Sequence, residues 1–391
     1  MIVIYETYAT DDIHVTFNAG LIETAALAFP GEVIRFYAGA SNLRHLESFL
    51  NGRLGRRIEF REIDIPDQNA GNFSYARKIY NGLGKIKRET PRGSLLIMSY
   101  VTAISLILLK FSLYFNRHFC AAQVVLHGNL AEIDGWRSRN PLFRYLNLRG
   151  ALCFFNAPHL RYLILEQAIV PELLRRMPAL QPFIDVFLHP ITVDPKNTPR
   201  DNIMLSQPVT IGYLGLVTQL KGFPVFQAIA QAMKKRLGKK VSFVAIGHTK
   251  GRPLMKDLDC LDVLPKTSSL SHEEFTRLAA SCHFICLPFS AALYALSPSG
   301  TLLDAVALQK PVIALDVAIT RDLFARYGDI GYLCSTPEEI CQTIDQIVKN
   351  VDCEHYRRQQ TAIATACHAR QPAELAKSYV KITRPLINQQ P

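Results

Sequence analysis

The residues with the clearest chemical use stand at Ser299-Gly300-Thr301, ahead of Leu302 to Ala307 and closed by Lys310-Pro311-Val312-Ile313-Ala314. Small residues opening a helix, then a turn into a buried strand, offer first-turn N–H groups and the positive end of the helix dipole to an anion. A diphosphate suits that geometry, and Asp304, one turn further in, is placed to accept hydrogen bonds from a ribose. A serine-capped helix also occurs with no ligand at all, so the segment gains weight from what lies upstream. There Val209 to Gly215 is a β-branched, apolar run ending in glycine, followed by Lys221-Gly222 and a helical pattern from Val225 to Arg236. A strand, a glycine turn and a lysine before a helix make a second phosphate-friendly corner, with Lys221 as a mobile point charge. Val241 to Gly247 repeats the strand-then-glycine pattern. Ligands of open α/β sheets sit beyond the carboxyl ends of strands, so Gly215 and Gly247 are expected at one crevice. Each glycine singly is also ordinary turn chemistry.

Positioning these groups takes alternating strands and helices. In the first half, Met1 to Tyr5, Val33 to Tyr37, Ile58 to Arg61, Ser94 to Ser99, Gln123 to Leu126 and Ala151 to Phe155 read as strands. Gly20 to Ala28, Leu43 to Leu50 and Ala103 to Phe115 read as helices between them, which predicts a parallel, doubly wound sheet. Phe187 to Pro190 reads as its last strand. The polar, proline-punctuated stretch 194–202 marks a linker, and a second α/β unit follows to about Ile347. The expected domains are 1–193, a linker 194–208, 209–355, and a C-terminal helical tail 356–391.

At 391 residues the chain has room for two ordinary domains. With 49% hydrophobic and 20% charged residues it is globular rather than disordered. Its nine cysteines are scattered without CxxC or Cys/His spacing, which predicts reduced thiols and no metal site. The opening segment lacks a basic n-region and reads as a strand, so a cytoplasmic protein is expected. A net charge of +11 calls for an anionic partner. Much of the excess lies at Arg53, Arg56, Arg57 and Arg61 and then at Arg77, Lys78, Lys85, Lys87, Arg88 and Arg92. A solvated basic face explains such charge, as does an anionic membrane surface; no nucleic-acid-binding motif accompanies it. Leu95 to Phe115 is the most apolar window. Its interruptions, Lys110 among them, favour a strand plus a core helix over a bilayer span, with a helix partly exposed at a bilayer surface as the reading that would join the basic clusters into a peripheral dock.

The order Gly215, Lys221-Gly222, Ile246-Gly247, Leu270-Ser271-His272-Glu273-Glu274-Phe275, Cys286-Leu287-Pro288-Phe289 and Ser299 to Ala314 resembles the donor domain of GT-B glycosyltransferases, nearest to glycosyltransferase family four. The resemblance covers about residues 205–350 and implies two Rossmann-like domains facing across a cleft, with the C-terminal tail crossing back to the first. It implies that Lys221 binds donor phosphate and Asp304, before Ala305-Val306-Ala307, binds the nucleotide ribose. Family members usually carry two glutamates separated by seven residues; here Leu296 stands at the first position and Asp304 at the second. Ser299-Gly300-Thr301 is similar instead to the phosphate loops of other GT-B branches, inverting ones included. Tyr294 and Ser297 are expected to line the donor pocket in place of the missing glutamate.

For an inverting reaction the first domain must supply a general base. Asp11, Asp12 and His14 follow the first strand, where an Asp helix cap is the plainer reading; Asp12 is the first choice for the base. His127 ends a strand in Val125-Leu126-His127-Gly128, where family-four enzymes often set a histidine against the donor sugar, and Glu132 and Asp134 are reserve bases. The resemblance implies a metal-independent glycosyltransferase with no cofactor, whose donor substrate is a nucleotide-diphosphate sugar. The acceptor would be a glycan or lipid-linked molecule, in polysaccharide or glycoconjugate assembly, on the inner face of a membrane. A sugar-nucleotide epimerase and a non-catalytic GT-B subunit are the alternatives within the same fold.

Overall fold

The computed structural model describes residues 1–51, 53, 57–67, 71–134, 146–157, 159–192, 203–251 and 257–388. They form two α/β units. The first contains β1 (Ile2–Tyr5), α1 (Val15–Ala28), β2 (Ile34–Ala38), α2 (Ala40–Leu50), β3 (Ile58–Glu62), α3 (Asn72–Glu89), β4 (Ser94–Met98), α4 (Ala103–Phe115), β5 (Phe119–Leu126), α5 (Leu148–Cys153), β6 (Leu160–Ile164), α6 (Val170–Arg176) and β7 (Ile184–Val186). Its seven strands are all parallel, in the order β3-β2-β1-β4-β5-β6-β7. Alternation of strand and helix enforces this, because parallel neighbours need a crossover. The central strands β1, β4 and β5 are buried on both faces, as a sheet covered by helices on each side requires.

The second unit contains β8 (Val209–Leu216), α7 (Phe223–Leu237), β9 (Val241–His248), α8 (His272–Ala280), β10 (Phe284–Leu287), α9 (Ala291–Tyr294), α10 (Gly300–Ala307), β11 (Val312–Leu315), α11 (Ala318–Tyr327), β12 (Gly331–Cys334), α12 (Pro337–Lys349) and α13 (Cys353–Ala369). Its five parallel strands run β12-β11-β10-β8-β9.

The expected C-terminal tail is two helices with different loyalties. Tyr356 and its neighbours in α13 pack into the core of the second unit. A final helix, α14 (Pro372–Ile387), lies on α1 and belongs to the first, with Leu375, Tyr379 and Leu386 in its core. There the Tyr379 hydroxyl donates to Gln123 Oε1 at 2.7 Å, and Gln123 Nε2 donates to Thr383 Oγ1 at 3.0 Å. Sandwiched between sheet and α14, α1 is buried on nearly every side. Leu296–Pro298 also group with the first unit. The expected linker stretch 194–202 lies outside the described residues.

Two sequence expectations fail locally. Ala151 to Phe155 is not a strand: α5 ends there, held at its start by Asn147, which accepts from the Gly150 amide at 2.8 Å. At its other end the fully buried Lys110 ammonium donates to the carbonyls of Ala151 (2.6 Å), Leu152 (3.2 Å) and Phe154 (2.6 Å). A cation on orphan C-terminal carbonyls is what a short helix needs, and neither cap is visible as local propensity. The last strand is Ile184–Val186 rather than Phe187 to Pro190, although the amides of Phe187 and His189 still bond to the carbonyls of Ile164 and Leu165. β6 was not expected at all, Arg161 interrupting its apolar run.

Candidate functional site

In the second unit the corner expected to take an anion is built on backbone crowding. Gly215, at the end of β8, has φ +91, and its carbonyl lies so close to Gly247 on β9 that a Cβ there would overlap it. Gly222, the N-cap of α7, has φ +80, and a Cβ at this residue would overlap the Pro288 carbonyl. Only glycine meets both demands at Gly222, and this turn delivers Lys221 to the carboxyl edge of the sheet. Lys221 is half-buried, and burial lowers its ammonium pKa while Asp304 partly offsets the effect and Lys250 adds to it. Asp304 is half-buried on α10; burial pushes its carboxyl up to about 7, with Lys221 pulling the other way. Among the described residues neither side chain has a hydrogen-bond or ion-pair partner.

Ser299 is the N-cap of α10 and accepts from the Leu302 amide at 3.1 Å. One of the first-turn N–H groups expected to be open is therefore taken by the cap, while those of Gly300 and Thr301 have no acceptor among the described residues. Thr301 Oγ1 turns back to the Leu214 carbonyl at 3.4 Å, which ties α10 to β8. Tyr294 is buried, packs on Phe289 with ring centroids 4.0 Å apart, and hydrogen-bonds with Ser299. It braces the loop rather than lining an open pocket. Ser297 is half-buried, groups with the first unit and donates to the Pro298 carbonyl at 3.2 Å. Leu296 is 3% exposed in the core of that unit, so its position has no opening for a sugar-binding carboxylate.

In the first unit the decisive residue is one the sequence did not single out. Glu6, just past β1, is fully buried. Its Oε1 accepts from the amides of Tyr8 (2.9 Å) and Ala9 (3.1 Å). Its Oε2 accepts from His14 Nδ1 (3.3 Å), Asn18 Nδ2 (3.1 Å) and Ser99 Oγ (3.0 Å). Burial alone would raise the pKa of this carboxyl, but the bonds from His14, Asn18 and the Tyr8 amide outweigh it and hold the group below its ordinary range. With Nδ1–H donated to the carboxylate, His14 Nε2 keeps a lone pair. A histidine oriented by a carboxylate in this way can act as a general base.

His14 itself sits at φ +60 as the N-cap of α1, and Asp11 at φ +49. Asn42 Nδ2 holds this loop by donating to the carbonyls of Asp11 and Ile13, both at 2.9 Å. Left-handed non-glycine residues cost roughly 1–3 kcal/mol and persist where neighbours over-determine them. Asp12, the first-choice base, is exposed, with no side-chain partner among the described residues; Glu6 is bonded to His14 instead.

His127 lies beside His14 (ring centroids 4.8 Å), Phe17 (4.8 Å) and His189 (5.4 Å). Burial, with His14 and His189 adding to it, lowers its pKa well below the ordinary value, so it is neutral, and its Nε2 is buried without a partner. Burial takes His189 down to about 3, against a bond to the Pro190 carbonyl. Of the reserve bases, Asp134 is committed to Arg149 and Arg176; Glu132 lies at the surface, where partial desolvation of its carboxyl raises its pKa. Among the described residues, no group of three or more His, Cys, Asp or Glu side chains is arranged to hold a metal ion, and no helix is long and apolar enough to cross a membrane.

No protein-family model matches the chain, and no curated protein matches it. Solved structures do. A glycosyltransferase from Rickettsia africae ESF-5 is similar over 100% of this chain and 99% of its own, at 12% identity and a TM-score of 0.67. Anabaena HepE, crystallised with UDP and glucose, is similar over 98% and 100%, at 12% identity and a TM-score of 0.63. WaaG, a glycosyltransferase involved in lipopolysaccharide biosynthesis, is similar over 97% and 99%, at 11% identity and a TM-score of 0.61. At such identities the likeness establishes the fold: two parallel-sheet α/β units of the GT-B class.

Proposed function

We propose that the protein is a glycosyltransferase that moves a sugar from a nucleoside-diphosphate donor to a hydroxyl of a glycan or lipid-linked acceptor. The observation that carries the reading is the pair Lys221 and Asp304: a half-buried cation just before α7 and a half-buried carboxyl on α10, each felt electrostatically by the other but without a hydrogen-bond or ion-pair partner among the described residues. Buried charges without partners are costly and are retained where a ligand completes them. Lys221 is matched to the diphosphate, whose leaving group gains negative charge as the glycosidic bond breaks. The Gly300 and Thr301 amides at the start of α10 add donors to the same anion, and Asp304 receives the ribose hydroxyls. This set supplies leaving-group stabilisation from the chain's own residues, in keeping with a metal-independent reaction.

Inversion at the anomeric carbon requires the acceptor hydroxyl to lose a proton as it attacks. His14 Nε2, aligned by Glu6, takes that role in place of Asp12, and the unsatisfied Nε2 of neutral His127 offers a hydrogen bond to a donor-sugar hydroxyl. UDP bound to Anabaena HepE makes uridine nucleotides the first to test. Calorimetry with UDP, GDP and ADP should show binding of one of them that Lys221→Ala weakens about tenfold or more, the scale of losing a charge-assisted contact. Lack of affinity for every nucleoside diphosphate would end this reading. The basic face of α3 and the exposed aromatic residues of α4 favour an acceptor presented at an anionic membrane surface, where the protein would work as a peripheral cytoplasmic enzyme.

A further inference from the structure

A cavity of about 1030 Å³ opens in the first unit between α3 and α4, and none of Glu6, His14, His127 and His189 lines it. Its two walls differ in chemistry. The α4 wall presents Leu108, Phe111 and Phe115, whereas α3 presents cations, Lys87 and Arg88 among them. Other lysines nearby are already engaged: Lys78 donates to Asp64 at 2.8 Å, and Lys85 donates to the Glu62 carbonyl at 2.8 Å. Lys87 and Arg88 have no carboxylate partner among the described residues. Lys87 is also half-buried, and burial lowers its pKa, as expected of an ammonium turned toward apolar walls.

Beyond the cavity mouth the surface stays apolar. Phe115 is 76% exposed and Tyr114 67%, and Phe111 stacks on Phe115 with centroids 6.1 Å apart and touches Phe154 at 5.7 Å. A contiguous exposed aromatic cluster marks an interaction surface, and aromatic residues beside cations are the composition that settles at a bilayer headgroup layer. A free phosphate would use the cations and leave the apolar wall bare; a neutral lipid would do the reverse.

We infer that this cavity holds one acyl chain of an anionic membrane lipid, with the lipid phosphate between Lys87 and Arg88 and the Phe111–Phe115 cluster seated in the headgroup layer. The cavity shares no lining residue with the proposed transfer machinery; the inference deepens the membrane-surface part of the reading above and does not depend on the reaction. Gly84 supplies a clean block, because a Cβ there meets only Arg88 Nη1, at 3.5 Å. Gly84→Leu therefore fills the cavity while raising helix propensity.

The probe is dodecyl phosphate below its micelle concentration, with dodecyl maltoside and inorganic phosphate as controls, followed by flotation with phosphatidylglycerol and phosphatidylcholine vesicles. Dodecyl phosphate should bind and both controls should not. Lys87→Gln with Arg88→Gln should weaken binding about thirtyfold, the combined effect of two cations near an anionic headgroup, and Gly84→Leu should weaken it at least tenfold. Phosphatidylglycerol vesicles should float the wild type and not the double variant, while phosphatidylcholine vesicles float neither. Nucleotide affinity should be the same in all variants. Unchanged dodecyl phosphate binding in the double variant, or equal binding of either control, overturns the site, and the double variant decides even if Gly84→Leu fails to fold. Dodecyl phosphate binding with no retention on phosphatidylglycerol vesicles overturns the membrane source and leaves a soluble amphiphile.

Discussion

Glu6→Gln removes one charge and changes no volume, which makes it the sharpest test of the first unit's site. The carboxylate accepts five hydrogen bonds, three of them at Oε2 from His14, Asn18 and Ser99. In glutamine one of the two positions becomes an NH2. If the oxygen stays with the Tyr8 and Ala9 amides, that NH2 confronts the Asn18 amide and the His14 N–H, both donors; only the Ser99 hydroxyl can rotate to accept. Two charge-assisted bonds are then lost at roughly 1.5–3 kcal/mol each, so unfolding free energy at pH 7 should fall by about 3 kcal/mol. Because folding depresses this carboxyl below its ordinary 4.5, its stabilisation is complete above that value and fades as pH falls through the lower folded value. Guanidinium titrations from pH 8 to pH 4 should thus show a constant gap between wild type and variant that starts to narrow only near pH 4.5. Turnover should fall about a hundredfold as His14 loses the partner that fixes its tautomer, with nucleotide affinity intact. Equal midpoints and equal turnover in the two proteins would refute both the carboxylate's burial energetics and its role behind His14.

Lys221→Ala should reduce turnover at least about tenfold, or 1.4 kcal/mol of transition-state stabilisation, with little change in melting temperature since the lysine has no hydrogen-bond or ion-pair partner among the described residues; unaltered kinetics would place the diphosphate elsewhere. Asp304→Asn should weaken nucleotide binding more than turnover of the bound complex. Its stability effect has the opposite sign to that at Glu6: folding raises this carboxyl to about 7, so the native state loses stability as pH rises from about 4 through 7. The variant should be more stable than wild type by ~1 kcal/mol or more at pH 8 and equal to it near pH 4, and a less stable variant at pH 8 would show that Asp304 has a partner. His127→Ala should raise the KM for the nucleotide sugar while leaving affinity for the nucleotide alone unchanged, a split that calorimetry and initial rates resolve.

Strand and helix alternation was legible along most of the chain because the central parallel strands are apolar runs and most crossover helices, such as α3 and α7, carry a helical period, although α1, buried on nearly every side, does not. Strands β1 to β5 and helix α4 stand where those runs placed them, and in the second unit Gly215, Lys221-Gly222, Gly247 and the Ser299 cap stand at strand and helix ends as their turn chemistry required. Local chemistry is enough for such features, since a glycine at positive φ or a serine at an N-cap answers to its own backbone. Residues whose meaning depends on distant partners were not legible. Glu6 ended a strand in the sequence like any polar residue, and only the fold brings Asn18 and Ser99 to its oxygens. Lys110 looked like an interruption in an apolar window, yet it is the cap of a helix some forty residues away, which is why Ala151 to Phe155 misread as a strand. Tyr294 and Ser297 were assigned to a pocket by position, whereas packing on Phe289 and membership of the first unit decide what they touch. The sequence thus determined which segments become strands, helices and glycine turns. The tertiary structure decided ionisation and partnership, because burial energy and hydrogen-bond geometry depend on atoms that the chain brings together only once it is folded.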